Sequence, residues 1–135
     1  MLKTIIDNVI SKLEQAGVEN VYSAFDAYAV EKKGSLFTIV GVGAFETSAP
    51  VYSLNCAYLP FKSEVEVNVT AVKTMPMTDL FDYYAANIEP VLMGMTDLEC
   101  SLKKIAIKFD SNIQRLVLTV KMGVCGITRI ERSSP

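Results

Sequence analysis

No histidine occurs among the 135 residues of this chain. The commonest general base and neutral metal ligand is therefore missing. Catalysis would fall to carboxylates, cysteine, lysine or tyrosine. Glu64 and Glu66 stand two apart, so on a strand they share a face and could pair as acid and base or hold a cation. Any solvated strand face produces the same spacing, and that reading outweighs the catalytic one. Asp79 and Asp82 could join Asp97 and Glu99 around calcium, but no loop has the spaced oxygens and glycine of an EF-hand. Placement near a helix N-terminus accounts for Asp79 and Asp82 more simply.

Cysteine chemistry is equally thin. Cys56, Cys100 and Cys125 are odd in number and far apart, with no CxxC pair. Zinc and thioredoxin-type sites need that spacing. Buried reduced thiols are expected. Gly41-Val42-Gly43 is a lone GxG inside an apolar run, without the following helix and third glycine of a dinucleotide fingerprint. Close packing against the opening helix, or a bend in the strand, explains it better. The aromatics Tyr22, Phe25, Tyr28, Phe37, Phe45, Tyr52 and Tyr58 read first as core and cross-strand packing. A protein interface comes second and a ligand pocket third. No catalytic, cofactor-binding or metal-binding residue is assigned, and the chain is not expected to be an enzyme.

These residues must be carried by recognisable elements. Leu2, Ile5, Ile6, Val9, Ile10, Leu13 and Ala16 recur with helical period, and Gly17 follows as a stop. Val21–Val30 fits a strand, and Glu31–Ser35 a turn. Leu36–Phe45 is a strand apolar on both faces, either central or with one face kept for a partner. Glu46–Pro50 reads as a loop and Val51–Tyr58 as a strand, with an interruption near Pro60. Ser63–Val72 alternates, with Val65, Val67, Val69 and Ala71 on one side and Glu64, Glu66, Asn68 and Thr70 on the other. Thr78 is a candidate N-cap for a helix that Pro90 should end or kink near Glu89. Leu98–Phe109 and Ile113–Val124 form a hairpin around Asp110-Ser111-Asn112. Residues from about Arg129 to Pro135 are expected to fray.

The expected fold is α+β in one domain spanning residues 1–135. An N-terminal helix packs on an antiparallel sheet, mostly of four to six strands, and a second helix precedes the C-terminal hairpin. The length suffices for a core without metals or disulfides. Half of the residues are hydrophobic, yet no apolar run approaches the about 20 residues of a membrane span. No signal-peptide pattern opens the chain, since Asp7 and Lys12 interrupt the apolar positions. It reads as soluble and cytoplasmic.

The net charge of −2 hides a split. Residues 1–100 hold 6 Lys/Arg and 13 Asp/Glu, and residues 101–135 hold 7 and 2. Basic residues of the hairpin alternate with apolar ones and lack aromatic interleaving, so nucleic acid is not the expected partner. A solvated face is the plain reading. Charge complementarity between subunits is the sharper one, with Arg115, Lys121, Glu64 and Glu66 as candidate interface residues.

The layout resembles the tail-terminator and tail-completion (head–tail joining) proteins of long-tailed phages and defective prophages. The resemblance lies in the helix Leu2–Ala16, the strands through Leu36–Phe45 and Ser63–Lys73, the helix from Thr78 to Ile88-Glu89-Pro90, and the hairpin Leu98–Val124. It implies a structural protein of a phage or prophage tail. It further implies a homo-oligomeric ring, commonly hexameric, that meets the tail tube and the head connector in the bacterial host or the virion. No family site is carried onto single residues, because no motif supports it. The runner-up is a ligand-binding or enzymatic domain of cystatin-like or hotdog-like architecture.

Overall fold

The computed structural model describes the backbone of residues 2–24, 34–94 and 99–131. The opening helix α1 spans Leu2–Gln15. Ile5, Ile6, Val9 and Leu13 are buried, as the apolar stripe requires. Its end is a Schellman motif. Gly17 takes φ +91°, its N–H donates to the Glu14 carbonyl, and the Val18 N–H donates to Leu13. Val18 and Leu13 are both buried, which supplies the apolar contact that accompanies this cap.

Six strands follow: β1 (Val21–Ser23), β2 (Leu36–Thr47), β3 (Val51–Tyr52), β4 (Cys56–Val72), β5 (Glu99–Asp110) and β6 (Arg115–Glu131). The sheet order is β1-β2-β4-β6-β5, and β3 also pairs with β4. The sheet is mixed rather than antiparallel throughout, because β1 runs parallel to β2, with Val21 opposite Thr38. A short connection cannot make a parallel pair. Here residues 24–35 make the return, and most of that stretch, including the rest of the expected strand to Val30, lies outside the described residues.

α1 packs against β1 and β2. Helices α2 (Met77–Tyr83) and α3 (Glu89–Met93) pack over β6 and β5 on the same face. Between them Tyr84–Ile88 forms a π-helical turn. That turn answers the expectation that Pro90 ends the helix. Proline cannot donate to the carbonyl four residues back and crowds it. The wider turn, with the Glu89 N–H donating to the Tyr84 carbonyl, lets the helix pass Pro90. Gly94 closes the segment through its N–H to Pro90, at 3.1 Å. Thr78 is not the N-cap. Pro76 holds that position with extended backbone and no side-chain cap, and its carbonyl accepts from Asp79 and Leu80.

One face of the sheet builds the core. Val65, Val67, Val69 and Ala71 of β4 meet Leu116, Leu118, Val120, Met122 and Val124 of β6 beneath Leu80, Tyr84, Ile88 and Leu92. The strict alternation of β4 is therefore as expected. β2 departs from it through a bulge at Gly43, where the register shifts between Val42 and Ala44. The extra residue turns Phe45 to the core face, opposite Ser63. Phe45 stacks there on Phe61, with ring centroids 5.5 Å apart. So Gly43 bends the strand, whereas Gly41 is tight against Ala24 and not against the helix. A Cβ on Gly41 would sit 3.0 Å from that of Ala24.

Pro60 does not interrupt β4, which stays paired with β6 through Pro60 opposite Ile127. The Ser48 N–H donates to the Pro60 carbonyl at 3.0 Å. In an antiparallel strand a residue's N and C=O point to the same side, so the proline nitrogen faces the gap between β2 and β3. The missing N–H therefore costs no ladder bond to β6. The expected loop shrinks to Ser48–Pro50, and the expected strand Val51–Tyr58 is split by a turn at Ser53–Asn55. β6 also runs further than expected. It takes in Gly123 and Gly126 and reaches Glu131, so residues 129–131 are strand rather than tail.

Candidate functional site

The face opposite the helices is where the candidate residues gather. On β4, Glu64, Glu66, Asn68 and Thr70 point to it, and register places them opposite Gly123, Lys121, Thr119 and Val117 of β6. Lys121 lies between Glu66 on one side and Lys104 of β5 on the other. Its Nζ is 3.7 Å from Glu66 Oε1, with side chains 40% and 33% exposed. A pair this exposed contributes under about 1 kcal/mol. Next to it Thr119 Oγ1 donates to Asn68 Oδ1 at 2.6 Å.

Glu64 and Glu66 lean over the Gly43 bulge. A Cβ on Gly43 would lie 3.3 Å from Glu66 Oε1 and 3.5 Å from Glu64 Oε1. The glycine thus makes room for two carboxylates, and Lys121 supplies a nearby positive charge. Among the described residues no three His, Cys, Asp or Glu side chains gather as a metal site. Asp97 lies outside the described residues, as do the side chains of Glu99 and Cys100.

Arg115 also works within its own chain. Its Nη1 donates to the Gly34 carbonyl at 2.7 Å. Its guanidinium sits 5.5 Å from the centre of the Phe37 ring, a cation–π contact. Phe37 in turn meets Tyr22 edge-on at 6.4 Å. Arg115 ties the start of β6 to the start of β2. The four residues expected at an interface therefore share one face, and Arg115, Lys121 and Glu66 make contacts inside the subunit.

Beyond the bulge the sheet narrows to an arm. It comprises β3, the first residues of β4 and the last of β6. β4 has 17 residues, a length of roughly 56 Å at about 3.3 Å per residue. Val51 pairs with Tyr58, which pairs with Arg129. At the arm Val51 is 61% exposed, Tyr52 65%, Leu54 92% and Ile127 67%. Sequence reasoning missed this patch because Val51, Tyr52 and Tyr58 have the composition of an ordinary buried strand. The only signal was the pair Ser53 and Asn55 around Leu54, turn-favouring residues that mark an end. A cavity of about 550 Å³ lies at the root of the arm, lined by Ser48, Pro60, Phe61, Lys62, Cys125 and Ile127.

The arm also holds Cys56, a buried free thiol; Cys125 is free and half-buried. Ser53 Oγ lies 2.9 Å from Cys56 Sγ. Hydrogen bonding from Ser53, then from Tyr58 and Arg129, together with the positive charge of Arg129, holds the Cys56 thiol below its ordinary value against the opposing effect of burial.

No protein-family model matches the chain, and no curated protein sequence does. Among solved structures it is similar to the type 4 fimbrial biogenesis protein PilO from Pseudomonas aeruginosa. That match has 9% identity and a TM-score of 0.33, and it covers 97% of this chain and 72% of the other. It is also similar to a protein from Akkermansia muciniphila, at 13% identity and a TM-score of 0.41, over 98% of this chain and 78% of the other. At these scores the likenesses carry no argument about function.

Proposed function

We propose that this chain is a non-enzymatic structural protein that works by associating with copies of itself. A ring at the end of a phage or prophage tail is the setting in which we place it. The exposed apolar arm is the observation that carries the reading. Large exposed apolar groups gathered on one extended element mark an interaction site, and Val51, Tyr52, Leu54 and Ile127 are all more than 60% exposed. The layout of α1, β2, β4, α2 and the β5–β6 hairpin supports the tail setting, because the resemblance rests on those elements.

Light scattering across a concentration series tests the proposal. A mass that rises from one chain to a defined multiple is the expected result. A single-chain mass at every concentration would sink it.

A further inference from the structure

A cleft of about 340 Å³ opens where three elements meet. Val18, Glu19 and Asn20 line it from the connection between α1 and β1, Leu36 from the start of β2, and Tyr83 and Asn87 from the helical segment. It lies at the end of the sheet away from the arm, since Leu36 pairs with Ala71 near the end of β4. Backbone bonds fix its walls. The Val18 N–H donates to the Leu13 carbonyl, the Thr38 N–H to the Asn20 carbonyl at 2.9 Å, and the Val72 N–H to the Ser35 carbonyl at 2.9 Å.

The polar groups of this cleft are mostly acceptors. Asn20 Nδ2 donates to the Leu36 carbonyl at 3.4 Å, and Asn87 Nδ2 donates to the Tyr83 carbonyl at 3.1 Å. A carbonyl can only accept, so it fixes which end of each amide is nitrogen. Each Oδ1 is left as an acceptor. Glu19 adds a carboxylate, which only accepts, and no lysine or arginine lines the cleft to neutralise it. Ser35, also in the wall, can serve either way. The Glu19 charge is felt at the half-buried Tyr83, whose hydroxyl is pushed above its ordinary range by burial first and by Glu19 second.

We infer that this cleft binds the primary ammonium group of a small organic amine, shared between the Glu19 carboxylate and the amide oxygens of Asn20 and Asn87. An ammonium offers three donors and one positive charge, which matches three acceptors and one negative charge. The Tyr83 ring adds an aromatic wall of the kind that attracts cations, and Leu36 gives the alkyl chain an apolar surface. This site is independent of the self-association proposed above.

The test is a titration of the full chain with n-butylammonium chloride at constant ionic strength, followed by backbone amide NMR shifts. Saturable shifts confined to residues 17–20, 35–36 and 83–87 are the expected result. Butanol, the uncharged analogue, should produce none. Glu19→Gln should weaken binding roughly tenfold, because it removes the charge opposite the ammonium. Asn20→Gly should weaken it too. Glycine keeps the backbone there at φ +56° while deleting the amide. Both positions are exposed, and an unchanged spectrum elsewhere shows that each variant is folded. A second arm uses N-acetyl-lysinamide. Weaker binding than butylammonium identifies a free amine as the ligand, and tighter binding identifies a lysine side chain.

Shifts that grow without saturation, or that spread over the whole surface, would overturn the inference. So would equal binding of butanol, or Glu19→Gln binding butylammonium as the parent does.

Discussion

Replacing Tyr84 by phenylalanine should make the protein more stable. The Tyr84 side chain is fully buried, and its hydroxyl has no hydrogen-bond partner among the described residues. The ring meets Phe81 edge-on at 6.4 Å, in the layer between the π-helical turn and the sheet. A buried hydroxyl without a partner costs about 1–3 kcal/mol of lost hydration. Tyr84→Phe removes that cost and keeps the ring. Part of the gain is lost to the small void left by the oxygen. A net gain of about 1 kcal/mol is expected, or roughly 3–5 °C in melting temperature for a chain of this length. The assay is urea unfolding followed by circular dichroism, with the midpoint rising at unchanged slope. Thr38→Val is a second test of the same reasoning, because Thr38 Oγ1 is also buried without a partner among the described residues. A loss of stability above about 0.5 kcal/mol on Tyr84→Phe would refute the argument, since it would mean that the hydroxyl is bonded.

Alkaline pH offers a related check. Burial raises the pKa of Tyr84 and of Tyr83 above 10.0, with Glu89 and Glu19 adding to the effect. Above that pH an unfolded tyrosine releases its proton while the folded one keeps it. Stability should therefore fall as pH rises beyond about 10, and Tyr84→Phe should flatten the fall in a pH series of melting temperatures. Absorbance near 240 nm should reveal one thiol ionising below the ordinary range of 9.0; Cys56→Ser should abolish that step, and Ser53→Ala should move it up. Gly17→Ala should cost about 1 kcal/mol in urea unfolding, because a side chain is strained at φ +91°. Lys121→Glu should cost under about 1 kcal/mol and leave the solution mass unchanged, since its partner Glu66 lies in the same chain; a change of mass would place the assembly contact on the open face.

Much of the fold was legible in the residue pattern. The stripe Ile5, Ile6, Val9, Leu13 with Gly17 after it defined α1 and its stop, because helix period and a left-handed cap are local properties. The alternation Val65, Val67, Val69, Ala71 defined the buried side of β4 for the same reason. The Asp110 turn was legible too, and Asp110 Oδ1 accepts from the Asn112 N–H at 2.9 Å. Three features were not. The bulge at Gly43 depends on how β2 sits against β4, so no local pattern shows that Phe45 turns inward. The π-helical passage around Pro90 depends on the packing of Tyr84, Ile88 and Leu92 over the sheet, which outweighs the local tendency to stop. The parallel partner β1 depends on a crossover, which no short-range spacing encodes.

The candidate surfaces divide along the same line. That Glu64 and Glu66 share a face followed from their spacing, since successive strand residues point to opposite sides. That Lys121 lies opposite Glu66, and that Arg115 reaches Gly34 across the sheet, followed only from strand register. Exposure was the least legible property of all. Val51 and Ile127 have the side chains of a core and become a surface because strand register turns them to the face away from the helices. Burial is decided by what the whole chain places over a residue, and the residue itself carries no record of it.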